Sequence, residues 1–89
     1  MDADPSSTQP TYVIRALRDD EARIWVAESD DVPGLATGAA TLDELLDKLA
    51  VMIPELLELN LHITNAHAAR FEVHAARARE RFTVIRDAA

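Results

Sequence analysis

Between residues 42 and 57 the apolar side chains Leu42, Leu45, Leu46, Leu49, Ile53, Leu56 and Leu57 recur at three- and four-residue intervals. That spacing gathers them on one side of an α-helix. Asp43, Asp47, Lys48, Glu55 and Glu58 fall between them and predict a wet opposite side. Thr41 suits the N-cap: its hydroxyl can accept from the Glu44 amide while the Glu44 carboxylate reaches back to the Thr41 amide. Asp43 and Glu44 also sit well at the positive end of the helix dipole. Pro54 offers no amide to the Ala50 carbonyl, so a kink is expected there, or a break with Pro54 opening a second short helix. Asn60 is the expected stop.

Upstream the period shortens to two. "TYVIRALR" predicts a strand with Tyr12, Ile14 and Ala16 on one face and Val13, Arg15 and Leu17 on the other. "DDEA" at residues 19–22 is a turn, since Asp readily caps its own backbone. "RIWVAE" predicts a second strand with Ile24 and Val26 on one face and Trp25 and Ala27 on the other, completing a hairpin. Apolar groups on both faces depart from the clean alternation of a half-solvated sheet. Trp25 is the side chain to explain, because an exposed indole forfeits several kcal/mol at about 25 cal/mol per Å². Either a later segment of the chain or a second protomer must cover the second face, and the little chain that remains favours the protomer.

Pro33-Gly34 forms a corner, and "LATGAA" a short third strand whose small residues allow close backbone approach. Residues 61–69 look like a connection. Over residues 70–86 two patterns coexist. "RFEVHAAR" and "RFTVIR" have strand composition, yet Phe71, Ala75, Ala78, Phe82 and Ile85 also fit a helical stripe. "MDADPSSTQP" at residues 1–10 is polar and aperiodic and predicts a disordered tail, leaving one domain over residues 11–86.

Charge sharpens this picture. Residues 1–60 carry 13 acidic and 4 basic side chains, whereas residues 61–89 carry 3 and 5, within a total of −7. The acidic majority disfavours direct nucleic-acid binding, which needs clustered Lys and Arg, and suits a basic partner. Cysteine is absent, so disulfides and thiolate metal sites are excluded. Neither a basic-then-apolar leader nor a run long enough for a membrane span occurs, and a cytoplasmic location is expected. His62, His67 and His74 have no metal-ligand spacing, and two glycines supply no phosphate loop. Arg70, Arg77, Arg79, Arg81 and Arg86 alternate with acids as a solvated face does. Glu28, Asp30 and Asp31 are the candidates for metal or acid–base chemistry, against the plainer role of turn caps. No enzyme activity and no cofactor are expected.

Taken together, the Trp-Val-Ala strand, the acidic pair before Pro33-Gly34-Leu35, and Thr41-Leu42-Asp43-Glu44-Leu45 opening a helix resemble the HicB-like antitoxin family. Within that family the chain more closely resembles the short stand-alone branch of unknown function. The resemblance implies an α+β domain of order β-β-β-α-β, a partial ribonuclease H-like fold. It would have a three-stranded antiparallel sheet, one kinked helix on one face and a C-terminal strand parallel to the first. "RFEVHAAR" is then a strand, and Asp30 and Asp31 are turn residues. It also implies a non-enzymatic interaction module that neutralises a small basic HicA-like ribonuclease toxin. Glu28, Asp30, Asp31, Asp43, Asp47, Glu55 and Glu58 would meet the toxin. Val13, Leu17, Trp25, Phe71, Val73, Phe82 and Val84 would join protomers into a homodimer or higher oligomer. The residues after 69 are too few for the DNA-binding segment of antitoxin-type members. A stand-alone structural oligomer is the alternative, and a residual metal-dependent nuclease a third.

Overall fold

Alternation in the first half of the chain becomes two strands, β1 (Thr11–Asp19) and β2 (Ile24–Glu28), in a computed structural model that describes residues 11–63 and 69–87. The expected tail at residues 1–10 lies outside the described residues. Asp19 accepts the Ala22 amide at 3.1 Å, and Arg23 takes a positive φ of 59° to bring the chain back into β2. Strand β3 (Ala36–Ala39), helix α1 (Leu42–Leu61), β4 (Arg70–Arg77) and β5 (Glu80–Asp87) follow.

The strands form one sheet in the order β3-β2-β1-β4-β5. Only β1 and β4 run parallel, α1 carrying the chain from the edge strand β3 across the sheet to β4; every other neighbour is antiparallel. The sheet is therefore five-stranded and mixed, where the sequence reading expects three antiparallel strands and a lone C-terminal one. The difference lies in residues 70–87, which form a hairpin about a two-residue turn in which Ala78 adopts φ 52°. As strands, these residues place Phe71, Val73 and Ala75 together on the buried face.

Register decides which side chains meet. Trp25 lies opposite Arg18 in β1 and Ala39 in β3, and Ile14 lies beside Val73. Trp25, Ala27, Ile14, Ala16, Phe71, Val73 and Ala75 thus share the face that α1 covers. Ile14, Phe71 and Val73 are fully buried there with Leu45, Leu49, Ile53 and Leu57 of the helix, and Val32 and Leu35 enter from the corner after β2.

Three of the proposed protomer contacts are thereby corrected. Trp25, at 5% exposure, and the fully buried Phe71 and Val73 belong to the core of a single chain. Alternation put Trp25 on the face away from Val26 but could not say which face the helix takes. Ala16 and Ala75 occupy the strands between Trp25 and β5, and over them the indole reaches Phe82, edge to face with centroids 6.3 Å apart.

Thr41 caps α1, its Oγ1 accepting the Glu44 amide at 3.1 Å. The reciprocal bond differs from the expected box: the Thr41 hydroxyl donates to Glu44 Oε1 at 3.5 Å. Pro54 is buried within one uninterrupted helix, not at a break. The lost bond is confined to the Ala50 carbonyl, while Leu49, Ile53 and Leu57 hold both halves against the sheet. The stop comes at His62, in the left-handed region at φ 55° with its amide donating to the Leu57 carbonyl. Asn60 instead donates from Nδ2 to the Pro33 carbonyl at 3.0 Å, tying the helix end to the corner.

Two substitutions measure this layer in urea unfolding. Phe71→Ala is expected to remove about 3–5 kcal/mol, and Thr41→Ala about 1 kcal/mol; equal losses would contradict the division between core and cap.

Candidate protein-interaction surfaces

The corner after β2 completes the sheet with side chains. Beyond the last β1–β2 pair, Arg15 with Glu28, the register would go on to set Ile14 opposite Ser29 and Val13 opposite Asp30. Asp31 Oδ2 accepts the Val13 amide at 2.8 Å, and Ser29 Oγ donates to the Val13 carbonyl at 2.6 Å. The same Ser29 oxygen accepts the amides of Asp31 and Val32 at 3.0 and 3.3 Å. Two side chains thus replace the strand the chain has just left. Gly34 then turns at φ 86°, where a side chain would be strained and its Cβ only 3.3 Å from Asn60 Nδ2.

Asp30 and Glu28 point elsewhere. Both engage Arg15, Asp30 Oδ2 at 3.2 Å and Glu28 Oε1 at 3.1 Å. The hydrogen bonds that the guanidinium donates to Asp30 and then to Glu28 raise it above its ordinary pKa. The acidic trio is therefore divided between a backbone amide and a cation, and it does not converge on a common point. Among the described residues, no group of three or more His, Asp or Glu side chains converges as a metal ion would require. His62 caps the helix, His74 lies 2.9 Å from Glu72 on β4, and His67 lies outside the described residues.

The remaining acidic candidates gather on the outer side of α1. Asp43, Asp47, Glu55 and Glu58 are exposed there with Glu44 and Lys48. Among them stand two apolar side chains that the sequence reading passed over, Val51 at 60% and Leu59 at 73% exposure. Their signal was available: both fall outside the leucine stripe and lie eight residues apart, hence on one side of the helix. Asp47 has a distant partner in Arg86, 3.9 Å away.

The sheet face away from α1 is different in character. Val13, Leu17, Val26 and Ile85 are exposed on it, set among the Arg15–Glu28, His74–Glu72 and Arg70–Asp87 pairs. An open depression of about 410 Å³ is lined by Leu17, Ala76, Arg15, His74, Arg81 and Thr83 among others. Val13 and Leu17 therefore stand apart from Phe82 and Val84, which lie on the helix-facing side at the rim of the sheet.

A family model described as a domain of unknown function (DUF1902) matches residues 11–84. The solved structure of a hypothetical protein from the extremely thermophilic bacterium Thermus thermophilus is 56% identical, with a TM-score of 0.61. That similarity covers 80% of this chain and 96% of the Thermus chain. No curated protein matches the chain.

Asp31→Ala is expected to lower stability by about 1 kcal/mol through loss of the hydrogen bond from the Val13 amide, read from the urea midpoint. Magnesium or manganese titrated into the protein is expected to give no saturable heat; a stoichiometric signal lost in Asp30→Asn would restore the nuclease reading.

Proposed function

We propose that this chain, which belongs to the DUF1902 family of domains of unknown function, is a non-enzymatic protein-binding module of the HicB-like antitoxin type. Its partner is a small basic protein, and an RNA-cleaving toxin is the class that the sequence resemblance suggests. The observation that carries this reading is the outer surface of α1. Five exposed carboxylates, Asp43, Glu44, Asp47, Glu55 and Glu58, face one lysine there, with Val51 and Leu59 bare among them.

Each part of that surface has a task. The carboxylates attract a cationic partner from a distance and set its orientation, an effect that weakens as salt screens it. Val51 and Leu59 supply the apolar contact that a purely charged surface lacks. Glu28, Asp30 and Asp31 contribute less to recognition, because Arg15 and the Val13 amide already engage them. Phosphate backbones would be repelled by the same helix, which favours a protein partner over nucleic acid.

Co-expression with the small basic product of a neighbouring reading frame tests the proposal. The expected result is co-purification, with growth restored when that product is toxic alone. Glu55→Lys with Glu58→Lys should weaken the complex at least about tenfold, with the urea midpoint unchanged within about 0.5 kcal/mol. Absence of both binding and rescue would overturn the reading.

A further inference from the structure

The two edges of the sheet are unlike. β3 is four residues long, whereas β5 extends over eight, Glu80–Asp87, with every second residue turning its amide and carbonyl away from β4. Edges of this length are usually blunted by proline, a bulge or an inward-facing charge. The middle of β5, Phe82-Thr83-Val84-Ile85, contains none of these. Phe82 is 41% exposed although it touches Trp25, and Val84 is half-buried beside it on the same face.

We infer that β5 is a self-pairing edge: two copies of this chain join β5 to β5 antiparallel about a two-fold axis at Thr83, giving one ten-stranded sheet. The argument is one of symmetry and charge. An antiparallel pair related by a two-fold axis normal to the sheet keeps both helices on one side, so it can only oppose residues that point to the same face. That rule excludes the register in which Arg81 meets Arg86 and Glu80 meets Asp87. Centring the axis on Thr83 sets Glu80 opposite Arg86 of the second copy and Phe82 opposite its Val84, each pair occurring twice. Asp87 then faces Arg79. Opposite charges and an aromatic–β-branched pair are the combinations that stabilise neighbouring strands. The half-covered Phe82 and Val84 gain a continuous apolar row across the junction. On the open sheet face, by contrast, Arg15, Arg70 and His74 are each engaged by an acid of the same chain.

This association is independent of a basic partner and is tested on the full chain alone. Sedimentation is expected to give twice the chain mass. Glu80→Arg and Arg86→Glu should each weaken the dimer at least tenfold, and the double variant should restore it, with circular dichroism unchanged throughout. The sequence has no cysteine, so Thr83→Cys places a single thiol per chain. Neighbouring Cα atoms about 5.5 Å apart at a hydrogen-bonded pair permit a disulfide; mild oxidation should therefore link two chains, and Val13→Cys should not. A monomer at all concentrations overturns the inference. So does a dimer indifferent to both single charge reversals, or one that Leu17→Glu alone dissolves.

Discussion

One helix has to cover one face of a five-stranded sheet, and most of the structure follows from the mismatch in width. Five strands at about 4.8 Å spacing span roughly 20 Å, while a helix with its side chains is about 10–12 Å across. Leu45, Leu49, Ile53 and Leu57 close over Ile14, Phe71 and Val73. Val32 and Leu35 fill in from the corner, and the Trp25 indole bridges the low floor made by Ala16 and Ala75. Beyond that reach the covering ends, which is why Phe82 and Val84 on β5 stay partly open although they lie on the covered side.

Charge divides between the two layers. On the sheet, acids and bases sit in adjacent strands and answer one another: Arg15 with Glu28 and Asp30, Arg70 with Asp87, His74 with Glu72. On the helix the acids outnumber their neighbours, Lys48 reaching away to the Gly38 carbonyl at 2.6 Å and Arg86 approaching Asp47 only at 3.9 Å. Exposed pairs of this kind add little to stability. Their consequence is a surface of uneven field, nearly balanced on one side and negative on the other, so a charged partner meets two different molecules depending on its approach.

Local pattern revealed the helix stripe, the first hairpin and the Thr41 cap, because each depends on residues close in sequence; the parallel return of β4 followed only from the family resemblance and the crossover rule. It revealed less wherever a tertiary choice intervened. Alternation placed Trp25 opposite Val26 in facing, but the side that α1 occupies was a separate fact. Residues 70–87 satisfied two periods at once, and only pairing with β1 separated them. Pro54 argued for a break, yet burial on both sides of it outweighed one missing bond. The acidic corner was read correctly as a turn, although the partner that explains Asp31, the Val13 amide, lies 18 positions away and leaves no trace in local composition.

The parallel contact of β1 with β4 fixes an order of events during synthesis. From Thr11 to Leu17, each β1 residue meets a neighbour 59 positions further along the chain. Until a ribosome has released that distant stretch, the central strand has β2 on one flank and nothing on the other. Isoleucine, leucine and indole surfaces destined for the interior must wait, loosely clustered, for the last third of the polypeptide to emerge. Long-range closure of this sort slows folding and lengthens the interval in which sticky segments meet other molecules. Maturation of this sheet is therefore closer to a single late event than to gradual growth strand by strand.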